Sequence, residues 1–371
     1  MRTSVVTMSE FAPIFEWLDG RGYTTVGPTI RDGAILYDEI DGVDGLPVGW
    51  TDVQEPGGYR LAERSDSALF GYAVAADSWK KYLYPPRTDL LNIRRVDGTL
   101  EFEEPSLPDT RYAFFAARAC ELAAIATQDH VFLENGYVDR TYRHNRLRSL
   151  VIAVNCGAPS ASCFCASMGT GPQCDSGYDV VVTELIGADR HEFLLEAGSA
   201  EGEELVESMG GRPVEERDIL ARDLVAAGAG AAQDRSMPDA DLQTVLPALH
   251  ASSRWQSIAD RCLGCANCTL VCPTCFCSTV EDASSLDGDL ATRSRRWDSC
   301  FTLDFSAVHG EPVRASTSSR YRQWLTHKLG TWHDQFGTSG CVGCGRCITW
   351  CPVGIDITEE VRSLLAREVP S

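Results

Sequence analysis

The sequence lacks any long apolar segment. No window approaches about 18 consecutive apolar residues, so we predict that no part of the chain spans a membrane. The first ten residues contain neither an apolar core segment nor a small-residue cleavage site, so we expect no secretion signal. Both absences favour a cytoplasmic protein, in which reduced cysteines bind metals more readily than they form disulfides.

Positive charge is also scarce. The formal net charge is −20 over 371 residues, and such a chain would be repelled by phosphates, so we predict no nucleic acid among its partners. Two basic groups stand out locally, residues 293–296 and residues 314–328, the second of which includes Lys328. They would stabilise anionic clusters or an acidic partner, although a solvated basic face explains them equally well.

Signatures of catalysis are missing as well. The chain has no Gly-x-Ser-x-Gly elbow, no phosphate-binding loop and no dinucleotide fingerprint, because residues 228–233 lack the last glycine and follow a helical pattern. Its seven histidines are scattered and pair with no nucleophile signature. We therefore predict a chain with no bond-making chemistry of its own.

Cysteine, by contrast, is abundant, with sixteen residues. Eight of them lie in motif I, CLGCANCTLVCP at residues 262–273, and motif II, CVGCGRCITWCP at residues 341–352. Both motifs match Cys-x2-Cys-x2-Cys-x3-Cys-Pro, the pattern that binds [4Fe–4S] clusters in bacterial-type ferredoxins. The sequence therefore predicts two [4Fe–4S] clusters, and a zinc ribbon, which needs neither the third cysteine nor the Cys-Pro, is the weaker alternative.

The ligands of each cluster follow from two-cluster ferredoxins, in which the fourth cysteine of each motif binds the other motif's cluster. Cluster 1 then has the ligands Cys262, Cys265, Cys268 and Cys351. Cluster 2 has the ligands Cys341, Cys344, Cys347 and Cys272. Such crossed ligation would couple metal binding to folding, because each cluster ties both motifs together.

The segment between the motifs is long. Compact ferredoxins join their motifs by short hairpins, whereas 68 residues separate Cys272 from Cys341 here, and residues 320–328 have helical character. We therefore predict an α-helical ferredoxin-type domain with two clusters over residues 238–371, preceded by a boundary near Pro238.

The N-terminal region, residues 1–237, is predicted to be a mixed domain of the α+β or α/β class. Apolar spacing and turn residues indicate helices at residues 11–18, 118–125 and 200–233, and strands at residues 24–26, 34–37, 69–74, 112–116, 150–155 and 178–185. Beyond this region, a further helix is predicted at residues 242–258, leading into motif I. The strands and helix between residues 112 and 185 alternate as in α/β proteins.

Four upstream cysteines occur in this region: Cys120, Cys156, Cys163 and Cys165. Because they lie at strand ends and in loops, we predict that they bind a third cluster. Their spacing is irregular, so buried free thiols or a zinc site remain as alternatives. Cys275, Cys277 and Cys300 lie near the motifs and either support the clusters or hold something further, while Cys174 is predicted to be structural.

Further sequence segments carry a family resemblance. These are RACELAA at residues 118–124, CFCASMGTGP at residues 163–172, CPTCFC at residues 272–277 and TWHDQF at residues 331–336. With them, nearly the whole chain resembles the iron–sulfur beta subunit of cytoplasmic NAD(P)-linked [NiFe] hydrogenases, or sulfhydrogenases. It is more distantly similar to the electron-input subunit of anaerobic sulfite reductase. Where the family usually has Asp, this chain has Glu121.

The resemblance implies an electron-transfer subunit. In that family the subunit lies in a hetero-oligomer and relays electrons between a flavin subunit that binds NAD(P) and a [NiFe] hydrogenase small subunit. Two alternatives remain. One is electron input to an anaerobic sulfite reductase or another cytoplasmic reductase, and the other is an autonomous enzyme whose upstream cysteines hold a catalytic cluster.

Overall fold

The computed structural model describes residues 2–366, except Val74 and Ala188. Its strands are β1 (Thr3–Thr7), β2 (Tyr23–Arg31), β3 (Ala34–Glu39), β4 (Trp50–Glu55), β5 (Gly58–Glu63), β6 (Arg87–Val96), β7 (Thr99–Glu103), β8 (Arg111–Ala117), β9 (Leu150–Val154), β10 (Val180–Gly187), β11 (Arg190–Ala197), β12 (Ser278–Ser284), β13 (Leu290–Trp297), β14 (Ala307–Val308) and β15 (Glu311–Pro312).

Its helices are α1 (Met8–Phe11), α2 (Ile14–Asp19), α3 (Lys80–Leu83), α4 (Ala119–Asp129), α5 (Arg140–Leu147), α6 (Ala200–Met209), α7 (Glu216–Ala231), α8 (Leu242–Ala248), α9 (Arg254–Ala259), α10 (Asn267–Leu270), α11 (Thr317–Thr326), α12 (Trp332–Phe336), α13 (Arg346–Thr349) and α14 (Ile357–Leu365). A π-helical turn at His130–Glu134 continues α4, and another at His327–Thr331 joins α11 to α12.

A seven-stranded sheet in the order β1-β11-β10-β9-β8-β2-β3 forms the centre of the N-terminal region. The four strands β2, β8, β9 and β10 run parallel, and antiparallel strands flank them on both sides. Every residue of β9 is buried, as expected for an interior parallel strand that is covered on both faces. Loops that carry sites collect at the carboxyl ends of such strands, and here the upstream cysteines follow β8 and β9.

The mixed α/β class predicted for this region is confirmed, and several element predictions agree with the structure. The strands predicted at residues 112–116, 150–155 and 178–185 correspond to β8, β9 and β10, and α4 covers the predicted helix at residues 118–125. Residues 11–18 form α1 and α2 instead of one helix, since Pro13 lies between them. Residues 69–73 form no strand, which corrects that prediction, and Val74 lies outside the described residues.

A second, four-stranded sheet in the order β12-β13-β6-β7 joins the two halves of the chain. Strands β12 and β13 lie between the cysteine motifs, and β13 pairs antiparallel with β6 of the N-terminal region, with Ala291 opposite Ile93. The segment between the motifs is thus only partly helical, which the prediction of an α-helical ferredoxin did not anticipate. The division at residue 238 stays a prediction.

Helices α8, α9, α11 and α14 surround a separate apolar core. It includes Trp255, Tyr321, Trp324 and Val361, all of them buried. The predicted helix at residues 242–258 is divided into α8 and α9, and α8 ends soon after Pro247. Within the described residues, no helix is both long enough and apolar enough to cross a membrane.

Candidate iron–sulfur cluster sites

The predicted ligands of cluster 1 lie around one pocket. The pocket is partly open to solvent, and all four predicted ligands line it together with Cys347. Phe301, Tyr321 and Trp324 form its apolar wall. The backbone amides of Gly264 and Ile355 donate to the Sγ atoms of Cys262 and Cys351, at 3.4 and 3.3 Å. Amide donors of this kind stabilise the negative charge of metal-bound sulfur.

The predicted ligands of cluster 2 are also neighbours, in a more enclosed part of the protein. Burial and the neighbouring thiols of Cys341, Cys344 and Cys272 raise the pKa of Cys347, so the last cysteine of motif I lies near the first three cysteines of motif II. Cys272 and Cys341 are buried, and the ammonium of Lys328, itself only 3% exposed, lies 3.2 Å from the Sγ atom of Cys272. A buried cation next to this thiol fits an anionic cluster, because an unpaired charge in the interior is costly.

The upstream cysteines meet motif II at the carboxyl edge of the seven-stranded sheet. Cys120 lies in the first turn of α4 and shares a small apolar cluster with Cys165 and Cys344. Cys165 is also a neighbour of Cys156, which in turn is a neighbour of Cys163. The structure thus brings all four upstream cysteines into one region, although Cys344 of motif II lies among them.

Close backbone packing holds the upstream loop against motif II. The amide of Phe164 donates to the carbonyl of Gly343 at 2.8 Å, and the Thr170 hydroxyl donates to the carbonyl of Val342 at 2.8 Å. Gly343 has a φ of +64°, and a Cβ atom there would lie 2.7 Å from the backbone of Cys165. Glycine at this position therefore allows an approach that any side chain would prevent.

A buried ion pair also joins the upstream region to motif II. Glu121 follows Cys120 and Arg346 precedes Cys347; each is 1% exposed, and their charged atoms lie 2.5 Å apart. Glu121 also accepts hydrogen bonds from the hydroxyl of Tyr37 and the amide of Arg118. Arg346 donates through Nε to two backbone carbonyls, at 2.9 and 3.0 Å. The pair is thus embedded in a network that fixes α4 against motif II.

The cysteine pKa values indicate that metal binding must release protons. Burial raises the pKa of the Cys163 thiol to about 12, that of Cys165 to about 11 and that of Cys341 to about 12. Cys272 is different, since a hydrogen bond with the side chain of Cys275 and the nearby Lys328 lower its pKa. Because metals bind thiolates, filling these sites is linked to pH.

Two basic features differ from what the sequence indicated. Arg293, Arg295 and Arg296 lie on β13 and form ion pairs with Asp282, Asp139 and Glu281, respectively, so each of these charges is paired with a carboxylate of this chain. Sequence reasoning missed Lys80, which is 5% exposed and donates to three carbonyls near motif I. Its position at the start of a short helix, far from the motifs in the chain, gave no signal.

Comparison with known proteins agrees with the cysteine motifs. Residues 261–355 match the family model of the 4Fe-4S dicluster domain, and this range contains every cysteine of motifs I and II. This match supports the binding of [4Fe–4S] clusters. The chain is also 28% identical over 354 residues to Sulfhydrogenase 2 subunit beta of Pyrococcus furiosus, covering 92% of each chain. The resemblance predicted from the sequence is confirmed. No solved structure gives a significant match.

Single-ion sites are a separate matter. Across residues 2–366, leaving out the two undescribed positions, no group of three or more His, Cys, Asp or Glu side chains has an arrangement that could hold a metal ion. For comparison, the four cysteine sulfurs around a zinc ion lie roughly 3.8 Å from one another, because each zinc–sulfur bond is about 2.3 Å long and the geometry is tetrahedral. The assignment of cluster ligands therefore rests on the motif pattern, the domain match and the neighbouring positions of the cysteines.

Proposed function

We propose that the chain is an electron-transfer subunit of a cytoplasmic hydrogenase complex. It relays electrons through [4Fe–4S] clusters between a flavin subunit that binds NAD(P)H and a [NiFe] hydrogenase small subunit. The motifs, the dicluster-domain match and the similarity over 92% of a sulfhydrogenase beta subunit support this role. Bound [4Fe–4S] clusters take up and release single electrons, and the chain itself positions them and controls their surroundings.

The observation that carries the proposal is the continuity of the cysteine groups. Cys268 of the cluster 1 group neighbours Cys272 of the cluster 2 group. At the other side of the cluster 2 group, Cys344 neighbours Cys120 and Cys165. Because neighbouring cysteines connect the three groups, we infer that the groups form a row, which supports a path of successive electron-transfer sites and would be unnecessary for a single catalytic centre.

One end of this row reaches the surface. Cys265 is exposed, whereas the cysteines at the other end of the row, Cys120 and Cys165, are buried. Leu263 and Val353, which line the cluster 1 pocket, are exposed apolar residues. We assign this apolar rim to the docking of one partner subunit, because apolar contact would exclude water from the path between the two proteins.

The crossed ligation of the two motifs can be tested with a double variant. Cys262→Ala and Cys351→Ala alter different motifs but the same cluster, so the double variant should lose only about four irons per chain, as each single variant does. Ligation within each motif would instead cost the double variant about eight irons. Cys174→Ala is the matched control, because Cys174 is a buried cysteine that belongs to neither motif.

The partners can be tested on the complex isolated with its attached chains. The proposal requires NAD(P)⁺ reduction that depends on H₂ and is lost on substitution of a cluster 1 cysteine. Oxidation of an electron donor by sulfite would instead support the role of input subunit of a sulfite reductase. Substrate turnover by the isolated chain with an artificial donor would contradict a relay and identify an autonomous enzyme.

A further inference from the structure

The two basic groups of the chain differ in how their charges are paired. The three arginines within residues 293–296 form ion pairs with carboxylates of the same chain. In the second group Lys328 is buried, whereas Arg314 and Arg322 are partly exposed. Within the described residues, neither of these two arginines forms an ion pair with a carboxylate. This is unusual in a chain that has 53 acidic and only 33 basic side chains.

Arg314 and Arg322 line one surface groove between α8 and α11. Its walls also include Pro247, near the end of α8, and Val313, an apolar side chain that is 61% exposed. No Asp or Glu is among the described residues that line the groove. The groove therefore combines apolar surface with positive charge, and its own lining provides no carboxylate to balance that charge.

The chain itself holds both arginines in place. The guanidinium of Arg320, which is only 9% exposed, donates to the carbonyls of Arg314 and Ala315, at 3.2 and 2.8 Å, and so fixes the loop that carries Arg314. Arg322 donates to the carbonyl of His250 at 3.1 Å and so connects α11 with the segment after α8. The side chain of Arg314 forms no hydrogen bond or ion pair within the part of the chain that the structure describes. A groove that is already formed loses less entropy when it binds a partner.

The groove lies on the side of α11 opposite to the cluster 1 pocket. Tyr321 and Trp324 of α11 line that pocket, whereas Arg322 and Thr326 line the groove. A helix has about 3.6 residues per turn, so these two pairs of side chains project from opposite sides of α11. A helix with its side chains is about 10–12 Å across. A molecule in the groove would therefore lie about one helix width from the predicted cluster 1.

The chemistry of the groove distinguishes between possible occupants. Nucleic acid could place phosphates against the arginines, but the net charge of −20 would repel it from the chain as a whole. A small inorganic anion would leave Pro247 and Val313 uncovered. A protein segment with carboxylates and an apolar side chain fits both features, because a guanidinium binds a carboxylate through two parallel hydrogen bonds.

We propose that this groove binds an acidic segment of a partner subunit, whose carboxylates pair with Arg314 and Arg322 and whose apolar side chain contacts Val313. The inference rests on the proposed function only in requiring a partner subunit beside cluster 1. Whether that subunit carries a flavin or a [NiFe] site does not change the contact. Complementary charges of this kind fix the orientation in which two proteins associate.

The first test uses the complex isolated with its attached chains. Arg314→Glu reverses a charge without breaking a hydrogen bond of that side chain, and it should raise the dissociation constant of one attached chain at least about tenfold. The control is Arg143→Glu, because Arg143 is an exposed arginine of α5 that also forms no ion pair within the described residues. Iron per chain should be unchanged in both variants, which separates loss of the partner from loss of a cluster.

A second variant identifies the occupant. Arg314→Lys keeps the positive charge and introduces an amine that a carbodiimide couples to a carboxylate in direct contact. The new cross-link should reach an Asp or Glu of the attached chain, and replacing that residue with Arg should restore the affinity of the Arg314→Glu protein.

A cross-link to a second copy of this chain, or the release of nucleic acid in place of a protein, would overturn the proposal. An unchanged dissociation constant in a folded Arg314→Glu protein would overturn it as well. The proposed function fails separately, namely if the cross-linked complex shows no NAD(P)⁺ reduction that depends on H₂.

Discussion

The buried ion pair between Glu121 and Arg346 offers the sharpest test of how the upstream cysteines are held against motif II. Replacing Glu121 with Gln keeps the size of the side chain but removes its charge. Arg346, which is 1% exposed, would then keep a full positive charge among backbone carbonyls. Removing one partner of a buried pair in this way costs about 3–5 kcal/mol of unfolding free energy.

That cost corresponds to a fall of about two to four powers of ten in the folding equilibrium constant, since about 1.4 kcal/mol is a factor of ten. The assay is guanidinium unfolding of the anaerobic protein followed by circular dichroism. The matched control is Glu204→Gln, which breaks the surface pair with Arg21, in which both side chains are more than a third exposed. Surface pairs contribute about 0–1 kcal/mol, so this control should change little.

A double variant separates the charge from the packing. In Glu121→Gln with Arg346→Met, no uncompensated charge is left, so the combined cost should be at least about 2 kcal/mol smaller than the sum of the single costs. A Glu121→Gln protein within about 1 kcal/mol of the unaltered chain would refute the reasoning, because that is the range of an exposed pair.

Two further predictions concern other contacts. Gly343→Ala should destabilise the protein by about 2–5 kcal/mol in the same unfolding assay, because its φ is positive and the added Cβ atom clashes with the backbone of Cys165. The control is Gly337→Ala, which should cost only about 1–2 kcal/mol, because Gly337 has a similar φ of +69° but nothing within 4 Å of the added Cβ atom. Hydrogen bonds from Arg212 and Arg190 hold the pKa of Asp218 well below its usual value. Its contribution to the stability of the folded state is therefore fully present above about pH 4, which is the pKa of an aspartate in the unfolded chain. The difference in unfolding midpoint between the unaltered chain and Asp218→Asn should therefore be constant from pH 7 to about pH 4 and shrink at lower pH as the carboxylate is protonated; a difference that grew on acidification would contradict it.

Local patterns in the sequence predicted the parts of the fold that depend on local physics. Strands β8, β9 and β10 are short apolar runs bounded by turn residues, and each of them occurs where it was expected. The cysteine spacing likewise identified motifs I and II, which the dicluster-domain match covers. These features depend on residues close together in the chain, so one sequence is enough to recognise them.

Long-range pairing accounts for the features that the sequence did not predict. Strand β13 pairs with β6, about two hundred residues away, and polar residues such as Arg293 give no sign of this partner. Lys80 is likewise far from motif I in the chain, although its ammonium contacts the carbonyl of Cys272. An ordinary surface lysine would have the same local sequence, so only the folded structure distinguishes the two.

The pairing of β13 with β6 also bears on the order in which the protein assembles. During synthesis, motif I emerges with three cysteines of the cluster 1 group, while Cys351 follows only after the whole intervening segment. Strand β6 has already been synthesised by then, and pairing of the β12–β13 hairpin with it divides the 68-residue segment between the motifs into shorter loops. Shorter loops lower the entropy cost of bringing motif II close to motif I. With the predicted crossed ligation, the hairpin would guide the returning chain, and the cellular machinery that delivers iron and sulfur would first meet a site with three of its four cysteines.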